Sequence, residues 1–416
     1  MTGADPLGAL WAWLASWLSC DGGVNGPVVH RSDLKRMFAT HDTPWTQAAV
    51  ISGLLHLYRR SGDDRWLDWA VRLGDAQCAR QRPDGHFRWA GHQDGRASLL
   101  VSNVLADCAL LDLADALGGE GRYLEAAERN LRDYVIAKLY RDELQGFAMA
   151  PFDSYAGRDR FILNMNSVAI EALVKLDRLR ETDLHAELVR TVGERILSLC
   201  DGNGLPYSDS EPHTHIQLYT GLALRGLPFI PASDVVARDA VAFLERMEDS
   251  ETRLWYHKLV GRRVARYPLF VAGAGIICNG LLDVGMGVDA GRLLRFQAPS
   301  GAIRNFVGYD HPDNGRRRGH GVDVWEDVLP TPNWNAQAFH FLCRVLPPPD
   351  PSLRPRIRRR VARSRRYVYF ESERVAAVVG MRPFSRGIAG LYVKRSRYGL
   401  VVPGPHAAAY WAWRRP

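Results

Sequence analysis

The chain has 416 residues, 46% hydrophobic and 24% charged, a globular composition that excludes a disordered or fibrous protein. Its net charge of +8 is uneven: residues 351–416 hold sixteen Lys and Arg against Glu371 and Glu373, so the body before them is mildly acidic. No stretch is long and apolar enough to span a bilayer, and the six cysteines form no C-x-x-C pair, which points to reduced thiols in a cytoplasmic protein.

The elements follow in chain order. The apolar run Leu7–Cys20 lacks a basic leader, and Asp5 with Pro6 marks a helix start, so residues 5–20 read as a first amphipathic helix. After a polar, Gly-containing loop, helices are predicted at Pro44–Arg60, Arg65–Gln81, Ser98–Leu117, Arg122–Tyr140, Phe161–Arg180 and Asp183–Cys200. Further helices follow at Thr214–Gly226, Ser233–Glu248, Pro268–Val284, Asp289–Phe296 and Pro332–Leu346. The run Pro347-Pro348-Pro349-Asp350-Pro351 ends the helical body, giving a domain of residues 1–346 and a Pro/Arg-rich linker over 347–366. Residues 367–416 form a small basic β-rich region, with hairpins expected from Tyr367–Glu371 with Arg374–Arg382 and from Gly390–Arg395 with Tyr398–Val402. The terminal Tyr410-Trp411-Ala412-Trp413 is expected to pack back onto the body.

Two regularities organise the helices. Gly62-Asp63-Asp64-Arg65-Trp66-Leu67-Asp68-Trp69-Ala70 recurs as Gly119-Glu120-Gly121-Arg122-Tyr123-Leu124-Glu125-Ala126-Ala127, a repeated helix start of the kind that stacked units produce. Alternate helices are small and apolar around their circumference, as in Ala48-Ala49 and Val271-Ala272-Gly273-Ala274-Gly275, whereas their neighbours carry one charged face. That pattern separates six inner from six outer helices. Connections from inner to outer are short; those from outer to inner are long and rich in His, Asp, Asn, Arg, Tyr and Trp. One rim of a ring therefore carries the chemistry.

The arrangement resembles the (α/α)6 toroid, the six-hairpin barrel of many glycoside hydrolases, polysaccharide lyases and sugar epimerases. The resemblance covers roughly residues 5–346 and is architectural. It implies a mainly α protein with a small C-terminal antiparallel β region, and a glycan cleaved or remodelled at the long-loop rim.

Candidate residues are the polar and aromatic ones that lead into the inner helices. Glycoside hydrolysis needs two carboxylates, one an acid and one a base or nucleophile; Asp42, Glu211, Glu326 and Asp327 supply them. Elimination or epimerisation beside a carboxylate needs a base and neutralisers; His213, Tyr256 and His257 are candidates for the acid/base work. His41, Arg96, Asn164, Asn166, His215, Tyr309, Asn333 and Asn335 are candidates for holding substrate, and Trp45, Trp89, Trp255, Trp325 and Trp334 for stacking on sugar rings. The plainer reading of each carboxylate is a cap or a solvated turn, and of each Asn or His a satisfied core residue.

His213-x-His215 lacks a third and fourth ligand, so no metal is assigned. There is no G-x-G-x-x-G, P-loop or zinc-finger pattern, hence no cofactor and no nucleic-acid partner. The turn Gln81-x-x-Asp84-Gly85-x-Phe87 is faintly similar to the repeats of squalene-type cyclases, but it occurs in one copy and Asp-Gly turns are common. An isoprenoid cyclase-like enzyme with an aromatic cavity, and a non-catalytic glycan-binding or scaffold ring, are the alternatives. The expected partner is an oligo- or polysaccharide, acidic or lipid-linked, with a peripheral anionic-surface contact through the basic C-terminal region.

Overall fold

A computed structural model of the chain describes residues 5–18, 23–24, 44–87, 98–151, 160–308, 311 and 330–350 in full. Beyond these it describes the backbone of strands at 360–363, 367–371, 375–380, 389–393, 399–402 and 410–411. Twelve α-helices lie among the described residues. Six are outer: α1 (Pro6–Ala15), α3 (Asp64–Cys78), α5 (Arg122–Asn130), α7 (Ala186–Leu199), α9 (Asp234–Arg246) and α11 (Gly291–Leu294). Six are inner: α2 (Pro44–Ser61), α4 (Leu100–Ala116), α6 (Leu163–Arg180), α8 (Gln217–Ala223), α10 (Gly275–Asp283) and α12 (Pro332–Val345). None is long and apolar enough to cross a membrane.

Each inner helix packs on the next, from α2 through α12, and α12 packs back on α2. The ring is closed. Glycines at the seams let neighbouring inner helices pack backbone to backbone. A Cβ on Gly221 would strike the backbone of Ile277, and one on Gly280 the carbonyl of Gly221. The outer layer closes as well: the amide of Gln297, just past α11, donates to the Pro6 carbonyl of α1 at 2.7 Å.

The repeated helix start explains how outer helices meet. Trp66 is 3% exposed and lies edge-on to Trp11 of α1 at 5.9 Å. Tyr123, at the same place in the second copy, bonds Asp75 of α3 at 2.5 Å. The aromatic in each copy thus docks on the preceding outer helix, while the buried Ala70 and Ala127 let the helix lie close to the inner layer.

A second device fixes how each long connection enters its inner helix. Asn103, Asn166 and Asn335 each stand four residues after the N-cap, on Leu99, Ile162 and Thr331. Asn166 accepts from the Phe147 amide at 2.8 Å and donates to the carbonyls of Phe147 and Ile162 at 3.0 and 3.1 Å. Asn335 does the same with Ile303 at 2.7 and 3.0 Å and with Thr331 at 3.1 Å. Asn103 accepts from Phe87 at 2.9 Å and donates to Ser98 and Leu99. A side-chain amide here takes the place of a missing strand neighbour, pinning the turn to the helix.

Past the helical body, six strands form one antiparallel meander in sequence order. Tyr367–Glu371 pairs with Val375–Gly380, and Ala389–Val393 with Gly399–Val402, as the two expected hairpins. The sheet begins earlier than the sequence suggested, at Arg360–Arg363 within the supposed linker. Tyr410–Trp411 is its last strand, hydrogen-bonded to Gly399–Val402.

Replacing Asn166 by Ala strips the Phe147 amide and carbonyl of their partner in a buried site. At about 1–3 kcal/mol for each buried unsatisfied group, stability should fall by about 2–4 kcal/mol in urea denaturation. A loss below about 0.5 kcal/mol, the range of ordinary surface substitutions, contradicts the pinning role.

Candidate functional site

The long connections meet the inner helices at one end of the bore, and the first turns of α2, α6 and α12 form its described wall. On α6, Asn164, Val168, Glu171 and Lys175 share one face by the helical period; on α12 the matching face carries Asn333, Gln337, His340 and Arg344. Glu171, Lys175, His340 and Arg344 line a cavity inside the ring, which fixes these faces as the ones turned inward.

At the mouth, Trp45 of α2 meets Trp334 of α12 edge-on, 5.5 Å apart and at 87°. Phe270, just before α10, lies edge-on to Trp334 at 5.3 Å, and His257 stacks on Phe270 at 5.7 Å and 18°. Gly273 leaves room for this group, since a Cβ there would sit 2.9 Å from the Trp334 ring. Asn164 is 3% exposed, and its Oδ1 meets no donor among the described residues. The Trp334 Nε1 likewise has no acceptor among them. Asn333 accepts from the Trp334 amide at 2.9 Å. Trp45, Asn164, His257, Asn333 and Trp334 are therefore the predicted residues found at or beside the mouth.

Others are placed elsewhere. Asn166 and Asn335 do not hold substrate: both are fully buried and use their amides on the turn backbones described above. Trp255 is 2% exposed and lies under the Arg292 guanidinium at 4.5 Å, so it belongs to the wall between outer helices. His215 is 2% exposed, bonded to Asp201 at 3.2 Å and set against Phe243 of α9 at 5.5 Å, away from the bore. Burial lowers its basicity despite Asp201. Tyr256 is not a free base, because its hydroxyl bonds Asp249 at 3.2 Å and burial with that bond raises its pKa.

His213 is exposed at the start of a three-stranded rim sheet, its carbonyl accepting from Gly261 at 2.8 Å. Glu211 sits 3.4 Å from Arg160. His41, Asp42, Trp89, Arg96, Tyr309, Trp325, Glu326 and Asp327 lie outside the described residues.

The opposite end of the bore holds charges that the sequence did not bring together. Burial pushes the Glu171 carboxyl up, but Arg225 and Lys175 outweigh it and hold the group at about 2. Lys175 bridges Glu171 and Asp112 at 2.8 and 2.9 Å, and Arg225 grips Glu171 through two nitrogens at 3.1 and 2.9 Å. His56 and His340 stack at 5.5 Å. Burial, reinforced by Arg344 and Arg59, lowers His56 to about 4, and burial drives His340 well below its usual value.

No protein-family model and no curated protein matches the chain. Solved structures do. A D-mannose isomerase superposes with a TM-score of 0.59 at 9% identity, over 82% of this chain and 96% of that one. A cellobiose 2-epimerase from Bacillus thermoamylovorans gives 0.57 at 12% identity, over 82% and 99%. An unsaturated glucuronyl hydrolase specific for heparin gives 0.56 at 13%, over 82% and 98%. The fold is the (α/α)6 toroid. At identities this low the superpositions establish the toroid architecture alone, and the chemistry of this toroid has to come from its own residues.

The toroid's His56 makes a prediction about pH. Its folded pKa of about 4 lies below the ordinary 6.5. Between those values the unfolded chain holds a proton that the folded one does not, so stability falls as pH drops through that window. His56→Gln should flatten the decline of the urea midpoint between pH 7 and 4; an unchanged slope would show that His56 is not buried as a neutral group.

Proposed function

We propose that the protein is a carbohydrate-active enzyme that cleaves or remodels a saccharide at the long-loop mouth of the toroid. The observation that carries this reading is Asn164: a buried amide oxygen on the bore-facing side of α6, without a donor among the described residues. An unmet buried acceptor costs about 1–3 kcal/mol, and a sugar hydroxyl is the donor that would relieve it. The right-angled Trp45 and Trp334 offer ring faces for the apolar side of a pyranose. Mannose, cellobiose and glucuronyl compounds name the substrates of three solved toroids, which supports a saccharide here as well.

The reacting groups are assigned to the connections that lead into this mouth. Asp42 stands three residues before Trp45, and Asp327 seven before Trp334. One carboxyl, held protonated, would deliver its proton to the departing glycosidic oxygen, and the other would activate water or attack the anomeric carbon. Glu326 shares the second role with Asp327, and His41, next to Asp42 in the sequence, is assigned to holding substrate. For epimerisation, His257 supplies an imidazole on the aromatic wall. The N-termini of the inner helices and the basic C-terminal region favour an acidic glycan.

The test is incubation with a panel of neutral and uronic oligosaccharides, following new reducing ends, unsaturated-product absorbance and sugar stereochemistry by NMR. One product class should appear. Asp42→Asn or Glu326→Gln should lower kcat by roughly a hundredfold or more with the melting temperature unchanged. Asn164→Ala should lower kcat/KM by roughly tenfold. Turnover of no sugar in the panel, or full activity in every carboxylate variant, contradicts the assignment.

A further inference from the structure

At the short-turn end of the toroid, remote from the mouth, the ends of the inner helices line a half-open cavity of about 280 Å³. Along α6, Glu171 at its wall stands seven residues from Asn164, about 10 Å at 1.5 Å per residue.

The charges around this cavity do not balance. Arg59, Lys175, Arg225 and Arg344 face Asp112, Glu171 and Asp283. All three carboxylates are already engaged: Glu171 by Arg225 and Lys175, Asp112 by Lys175, and Asp283 by Arg344 at 2.8 Å. The fourth cation, Arg59, has Asp115 as its one carboxylate partner among the described residues, 3.8 Å away on the exposed flank. Arg225 holds Glu171 through Nε and Nη2, and Arg344 works through Nη1, so each guanidinium keeps donors for a further acceptor. The stacked His56 and His340 add a wall of uncharged imidazoles that can donate or accept. Burial is the main cause of their depressed basicity, and Arg344 and Arg59 add to it at His56.

The carbonyl ends of the inner helices oppose an anion, yet two of them are already occupied. Arg60 takes the Cys343 carbonyl at 2.8 Å, and Arg344 the Asn279 carbonyl at 3.1 Å. A half-open pocket whose lining has one cation in excess, unspent guanidinium donors and no uncommitted carboxylate suits a compact oxyanion.

We infer that this cavity is a second binding site, separate from the mouth, for a small oxyanion: a phosphate or carboxylate group, free or carried on a sugar. It does not depend on the activity proposed above. The full-length protein would be titrated at constant ionic strength with inorganic phosphate, glucuronate, glucose and chloride, reading melting temperature and heat of binding. Phosphate or glucuronate should raise the melting temperature saturably, and the one that does so more strongly identifies the source of the group. Glucose and chloride should not. Arg59 is half-exposed and weakly paired, so Arg59→Gln should fold normally and bind roughly tenfold more weakly, while Arg59→Lys should bind nearly as the parent does. The inference is overturned if no anion saturates, if chloride acts equally, or if Arg59→Gln binds as the parent.

Discussion

The packing of α12 against α2 is the contact on which the rest depends. Without it, six helical hairpins would make an open stack, and the residues of the first turn of α2 would lie a whole molecule away from those of α12. Gly53 of α2 makes the seam: a Cβ there would stand 2.9 Å from the Phe339 ring and 3.3 Å from the His340 backbone. Trp11 of α1 covers the same seam from outside, stacked on Phe339 at 5.5 Å. The edge-on pair Trp45–Trp334 and the stack His56–His340 are both consequences, one at each end of the same helix pair.

Much of this ring could be read from the sequence, because alternation of small apolar helices with one-faced helices follows directly from burial on two sides or on one. The paired helix starts at Arg65 and Arg122 gave the period. What could not be read were roles that depend on a distant backbone. Asn166 and Asn335 had the residue type and place of substrate ligands, yet their amides are consumed by the turns at Phe147 and Ile303. A signal for this existed. Gln81-Arg82-Pro83-Asp84-Gly85-His86-Phe87 is echoed by Gln297-Ala298-Pro299-Ser300-Gly301-Ala302-Ile303. In each copy the Gln amide ties its own glycine carbonyl, at 2.8 Å, to the neighbouring outer helix. A turn spelled twice in one chain, with an Asn on the inner helix that follows each, is a structural repeat and not a cyclase signature.

The two ends of the bore differ because helix polarity differs. N-terminal first turns leave amide protons pointing at the mouth, where Asn164 and the aromatic wall lie; C-terminal turns leave carbonyls, which arginines such as Arg60 and Arg344 satisfy. The charged end was invisible to a linear reading, since Asp112, Glu171, Arg225, Asp283 and Arg344 come from five separate hairpins and become neighbours only on closure. Asp112 and Asp115 find basic partners there in Lys175, Arg59 and Arg178. Asp107 does not; it is wholly buried against the amide of Asn130.

Closure is tested most directly by the distance between its two ends in solution. Labels at the exposed Ser61 and Pro347 flank the Arg60–Cys343 bond that joins α2 to α12. A closed ring places their backbones about one interhelical spacing apart, roughly 10 Å. A separation of about 40–50 Å, the span of five such spacings, would mean an open stack and would remove both the mouth and the charged cavity.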